Sequence, residues 1–186
     1  MARPRDSQRG KVYRAERAIQ DLGRRYTTVE ECQAFLDKLV KSKWFQRRYG
    51  KPEIIIRDGR GTRIARGGYR QFGNRIVLNL PKWARNEVVM LHELAHGCVG
   101  ILQMLDGHSR RYRDNYESPY TREAWAWHSW LFCKVLLELL THHDKELGEG
   151  LKSAYKALKV RYRKPRTDRG KSKDVPWLMA ARPKGE

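Results

Sequence analysis

The chain has 186 residues, enough for one domain with a real core, and its 40 Lys plus Arg against 21 Asp plus Glu give a formal net charge of +19. No run of 18 or more apolar residues is present, and the basic N-terminus lacks an apolar h-region, so neither a membrane span nor a secretory signal is expected. The three cysteines (Cys32, Cys98 and Cys133) are odd in number and far apart, which suits a reducing cytoplasm better than a disulfide framework.

Residues 1–5 are a basic start. Asp6 or Ser7 can cap a helix running to about Leu22, with Val12, Tyr13, Ala15, Ala18, Ile19 and Leu22 as its apolar stripe and Gly23 as its stop. Thr27 or Thr28 can cap the next helix, with Glu30 and Glu31 in its first turn and Cys32, Phe35, Leu36, Leu39 and Val40 as its buried face. It ends near Ser42, and Trp44, Phe45 and Tyr49 pack the loop that follows. Three consecutive isoleucines in Glu53 to Arg57 are a strong strand signal. Asp58 to Gly61 is a turn. Thr62 to Tyr69 and Asn74 to Leu80 read as two further strands joined around Gln71-Phe72-Gly73-Asn74, and the three are expected to form an antiparallel sheet.

A helix from about Trp83 to Leu105 carries His92-Glu93-Leu94-Ala95-His96. The two histidines are one turn apart, so both imidazoles project from one face at a separation suited to one Zn²⁺. Glu93 lies beside them, placed to act as a general base. The alternative is a buried helix that spells H-E-L-A-H by chance. Cys98 is two residues past His96, points off the histidine face and reads as a core thiol. Asp106-Gly107 is expected to break the helix, and residues 106–120 to form a polar loop. Ser118 to Thr121 reads as the start of a strongly apolar helix through Ala124, Trp130, Val135 and Leu140, and a last helix covers about Lys145 to Leu158.

A zinc site of the catalytic kind needs a third protein ligand and one open position. His108, Glu123 and His128 are the candidates. His128 sits among Trp125, Trp127 and Trp130 on the apolar helix, where packing would hold a ligand in place and keep the site dry. Its bland alternative is a core histidine satisfied by a neighbour. Glu123 would complete a two-histidine, one-glutamate set, and His108 lies in the polar loop. His142 and His143 fall at a helix C-terminus, where they favour the dipole.

With these residues the chain resembles the SprT-like zinc metallopeptidases, a minimal HExxH type. It resembles more closely a group of zinc metallohydrolases of actinobacteria and their phages. The likeness runs over most of residues 5–160 and is carried by Arg5 to Glu16, by Val88 to His96, and by His128, Phe132 and Leu136-Leu137-Glu138-Leu139. The last set matches a family H-G-x-x-F motif followed by an L-L-x-L helix. Ser129 stands where the family has Gly, and the stretch between His96 and His128 is long for it. The resemblance implies His128 as third ligand, Zn²⁺ as cofactor and hydrolysis of a peptide bond with Glu93 as base. SprT-like proteases act on proteins bound to DNA.

The expected molecule is therefore one α+β zincin-like domain over residues 1–160 with a basic tail over 161–186. His92, His96 and His128 would hold zinc. A protein or peptide would be the substrate, and a strand such as Asn74 to Leu80 would offer it an edge. The charge favours nucleic acid as a partner, through the basic surface and the tail, and no membrane. The competing expectation is a basic nucleic-acid-binding protein whose zinc site is structural or vestigial.

Overall fold

The computed structural model describes residues 6–112 and 122–163, and in them the chain forms six α-helices and a small three-stranded mixed sheet, an α+β fold. The first helix, α1, is Arg9–Arg17, followed by a 3₁₀ turn at Gln20–Leu22. It is shorter than its apolar pattern suggests: Leu22 is exposed, and the buried positions are Val12, Ala15 and Glu16. The next, α2 (Val29–Val40), opens on a capping box in which Thr28 Oγ1 accepts from Glu31 N–H and the Glu31 carboxylate accepts from Thr28 N–H. The expected loop after it is a seven-residue helix, α3 (Lys43–Tyr49), capped by Ser42 and packed through Phe45 and Tyr49.

Strands β1 (Glu53–Asp58), β2 (Arg66–Arg70) and β3 (Arg75–Leu80) lie in the order β1-β3-β2. The expected antiparallel sheet is corrected here. β3 runs antiparallel to β2 but parallel to β1, with Ile54 opposite Ile76 and Ile56 opposite Leu78. The alternation that marks a strand is blind to its direction. Direction is set by the chain crossing from β1 to the far edge before the hairpin returns it to the middle. The hairpin turns where expected, although β2 starts at Arg66 and not at Thr62; in its four-residue loop Gly73 and Asn74 take φ of 83° and 47°, the left-handed region.

The central helix, α4, is Glu87–Tyr112. Its start is set by Asn86, whose Oδ1 accepts from Val88 N–H while Nδ2 donates to the carbonyls of Gln20 and Gly23. Asp106-Gly107 does not end it. Ile101, Leu102 and Asp106 are buried, and tertiary packing outweighs the roughly 1 kcal/mol that a helical Gly costs. Over Glu87–Ser109 this helix is long and apolar enough to cross a membrane by length and composition, but most of that surface is covered by the fold itself. A 3₁₀ turn at Arg122–Trp125 leads to α5 (Trp130–His143), capped by Ser129 and buried through Phe132, Val135, Leu136 and Leu140. Last is α6 (Lys145–Ala157), capped by Asp144. Arg161 and Tyr162 still pack on the domain, through Gln8 and Tyr155 respectively. The basic tail from residue 164 onward lies outside the described residues.

α4 touches both β2 and β3 on one side and α5 on the other. Two glycines permit the close approach to the sheet. A Cβ on Gly97 would run into the Ile76 side chain, and one on Gly67 would overlap the backbone of Glu93. The sheet is thus pressed onto α4 at the turn that carries the motif.

Candidate metal centre

His92 and His96 sit one turn apart on α4, and their Nε2 atoms are 3.2 Å from each other. His128 reaches the same point from outside the helices. It lies in the turn before α5, not on an apolar helix as expected, because Ser129 takes the cap: Ser129 Oγ accepts from Phe132 N–H and donates to the carbonyl of Ala124. The conformation of Ser129 is extended, with φ of −67°, so nothing in the backbone demands the family glycine there. One ligand atom from each histidine lies within 4.8 Å of the others, close enough to bind one metal ion.

His92 and His128 are buried and His96 is half-buried. The Nδ1 of His92 donates to Glu16 Oε1 at 2.8 Å, and the Nδ1 of His128 donates to Asp6 Oδ2 at 2.6 Å. Each bond places the lone pair of that ring on Nε2, the atom facing the cluster. The Nε2 of His128 is buried and has no hydrogen-bond partner among the described residues. A buried ring nitrogen left so is costly unless something binds it. Three imidazoles aimed at one point, two of them fixed from behind by carboxylates, are a donor set that fits zinc.

The electrostatics agree with ligation. Burial, and after it the neighbouring His92 and His128 rings, holds His96 well below the usual imidazole pKa. Burial likewise lowers His128, against the pull of Asp6. Both rings are then neutral at pH 7, the form that binds a metal. Burial works to lower His92, but the Glu16 carboxylate outweighs it and the net shift is upward, so a metal competes with a proton more at this ring than at the other two.

Glu93 is 7% exposed. Burial raises its pKa, while the His92 charge and a hydrogen bond from the backbone N–H of Gly67 on β2 pull the other way. Glu93 therefore sits beside the histidine cluster, at the point where the backbone of β2 comes closest to α4. Phe132 lies against all three rings, at centroid distances of 4.9 Å to His92, 4.4 Å to His96 and 5.0 Å to His128. Tyr13 of α1 packs on His92 and His128 at 5.5 and 5.1 Å. Phe132 and Tyr13 thus add to the aromatic surround expected from the tryptophans. Trp127, edge-on to His96 at 5.3 Å, is 47% exposed.

His108, Cys98, His142 and His143 fall elsewhere. His108 is exposed on α4, twelve residues beyond His96, which at about 1.5 Å per residue is roughly 18 Å along the axis. The side chain of Glu123 lies outside the described residues. Cys98 is fully buried, and burial keeps its thiol protonated. His142 stacks on Trp44 at 4.2 Å, and His143 Nε2 is 3.3 Å from Glu87, so both serve packing at the end of α5.

Sequence reading missed the N-terminal contribution. Asp6 was expected to cap α1, but it is bound to His128, and α1 starts without a side-chain cap. Gln8 donates to the carbonyls of His128 and Arg161 and accepts from Arg161 N–H. Glu16 falls on the buried stripe between Val12 and Ile19, and that placement is the local signal for its role. No protein-family model, curated protein or solved structure matches the chain.

Proposed function

We propose that the protein is a zinc-dependent metallopeptidase of the kind its sequence resembles, with His92, His96 and His128 as ligands and Glu93 as general base. The observation that carries this is the convergence of three histidine ring nitrogens, one of them buried and otherwise unpartnered, beside the buried Glu93. A zinc ion held there supplies Lewis acidity towards a carbonyl and lowers the pKa of water towards about 7. Glu93 takes up a proton on its carboxylate and returns it to the leaving amine. Glu16 and Asp6 fix the His92 and His128 rings, and Phe132 and Tyr13 restrict water around them.

The strand expected to offer its edge to substrate, β3, is the central one and has no free edge. The outer edge of β1 is also occupied, because the Gln33 amide donates to the Ile54 carbonyl and accepts from Ile56 N–H. β2 keeps the remaining edge, and at Gly67 it lies against the backbone of Glu93. An extended peptide laid along Arg66–Arg70 would therefore pass the catalytic carboxylate.

The charge of +19 favours a second reading, a nucleic-acid-binding protein with a structural zinc. Against it, structural zinc sites have four protein ligands, and among the described residues only three donors converge. The test is metal content with a hydrolysis assay on denatured casein. About one zinc per chain should be lost in His128→Ala and kept in His108→Ala, and Glu93→Gln should keep the metal and lose cleavage. Cleavage by metal-loaded Glu93→Gln would sink the mechanism. Salt-dependent DNA binding with no hydrolysis of any protein would favour the second reading.

A further inference from the structure

Successive side chains of a strand point to opposite faces. On β2, Gly67 and Tyr69 meet α4, so Arg66, Gly68 and Arg70 point away from it. The register extends this second face across the sheet. Arg66 lies opposite Asn79, Gly68 opposite Val77 and Arg70 opposite Arg75, and β1 continues the rows with Arg57, Ile55 and Glu53. The face is open among the described residues: the four arginines are exposed, and a Cβ on Gly68 would meet nothing within 4 Å.

Its chemistry is uneven in a specific way. The middle row, Ile55, Val77 and Gly68, is uncharged, small and half-buried. Arginines stand on both sides of it. Residues 53–80 contain six arginines and only two acids, Glu53 and Asp58. Glu53 pairs with Arg75 at 2.6 Å, and Asp58 is already held by Arg85 at 2.9 Å. Arg57, Arg66 and Arg70 have no ion-pair partner among the described residues. At the tip of the β2–β3 hairpin Phe72 is 97% exposed, an aromatic ring presented to solvent between Arg70 and Arg75.

We infer that this open sheet face binds single-stranded nucleic acid, with phosphates on Arg57, Arg66 and Arg70 and bases on the Ile55–Val77–Gly68 strip and on Phe72. Arg66 and Arg70 are about 13 Å apart along the strand and β1 lies about 10 Å from β2, room for about two bases. A duplex suits the face less well. Three strands with their side chains are too wide for a major groove of about 12 Å, whereas unpaired bases lie flat on a sheet and stack on an exposed ring. The inference stands apart from the peptidase reading. It does place the nucleic acid on the reverse of the strand that packs against Glu93.

The test is fluorescence anisotropy of the full-length protein with labelled (dT)20 across a salt series. The exposed triple variant Arg57→Gln/Arg66→Gln/Arg70→Gln should bind about tenfold or more weakly, with a salt slope shallower by about two, the loss expected for three phosphate contacts on a single strand. Phe72→Ala should lose about fivefold or more. Lys152→Gln/Lys156→Gln/Lys159→Gln, an equal charge change on and just after α6, should lose clearly less. Equal losses in the two triple variants would reduce the effect to bulk charge and overturn the inference. So would unchanged affinity and slope in the arginine variant, which would move binding off the sheet. Poly-glutamate competing as well as (dT)20 at equal charge would overturn the assignment to nucleic acid. A matching melting temperature and zinc content in each variant excludes misfolding as the cause.

Discussion

Glu16 offers the sharpest test of the proposed centre because it touches His92 from behind and is itself nearly buried. Its carboxylate is 2.8 Å from His92 Nδ1, and the two side chains are 10% and 4% exposed, so solvent screens the pair little. Glu16→Gln keeps a carbonyl oxygen that can accept from Nδ1–H but removes the charge that makes the ring a stronger donor to a metal. Loss of such a partner lowers metal affinity by about 10- to 100-fold, and the glutamine variant belongs at the lower end, about tenfold or 1.4 kcal/mol. Glu16→Ala also leaves a buried N–H without an acceptor, which adds a desolvation cost of about 1–3 kcal/mol, so its loss should be about 100-fold or more. Asp6→Asn should act on His128 as Glu16→Gln acts on His92. The assay is competition for zinc against a chromophoric chelator at pH 7.5, with thermal unfolding in EDTA to separate metal loss from general instability. Glu30→Gln, an exposed carboxylate on α2, is the control. Zinc affinities for Glu16→Gln and Glu16→Ala within twofold of the parent would refute the idea that the N-terminal carboxylates tune this site.

Two further predictions concern the frame around the site. Gly67→Ala places a methyl group against the Glu93 backbone and should cost about 1–3 kcal/mol in denaturant unfolding, whereas Gly68→Ala, one residue on and facing open space, should be neutral or slightly stabilising; equal stability of the pair would contradict the close approach of β2 and α4. Thr28→Ala should cost about 1 kcal/mol through the lost cap of α2. Its partner carries a pH signature. Backbone N–H groups of Thr27 and Thr28 hold the Glu31 carboxylate below the usual range, so its contribution is present above the ordinary carboxylate pKa and is lost as pH falls through the lowered folded value. The gap in melting temperature between parent and Glu31→Gln, measured from pH 7 down to pH 2, should therefore close on acidification; a gap that widens would reverse the assigned sign.

The parts of the site that could be read from sequence are those encoded within a few residues. His92, Glu93 and His96 occupy one helical turn, and a helix period is visible in any stretch that keeps it. Phe132 is paired with His128 by the resemblance to the family H-G-x-x-F motif, and the Thr28 cap and the Gly73-Asn74 turn are local signals. The extent of α4 was not readable, because Asp106-Gly107 carries a break signal that the buried face of the helix overrides. The placement of His128 ahead of α5 was missed for the opposite reason. Residues 124–127 are as apolar as a helix start, and only the Ser129 cap distinguishes the turn from the helix.

Asp6 and Glu16 mark where local reading stops. The first is separated from His128 by 122 residues and the second from His92 by 76, and neither separation leaves a period or a spacing behind. Asp6 was even misdirected, since an acid before a helix has a respectable local use as a cap. What brings both carboxylates to the histidine cluster is tertiary: α1 packs on α6, Gln8 ties residue 161 to the carbonyl of His128, and Tyr13 packs against two of its rings. The consequence is that the two ends of the folded domain meet behind the ligands. Ordering of residues 6–16 and metal binding are then linked, because the segment that fixes two imidazoles is itself held by contacts to one of them. In hydrogen exchange, zinc should protect α1 as strongly as it protects the first turns of α4. Protection confined to α4 would leave Asp6 and Glu16 as packing residues with no part in holding the metal.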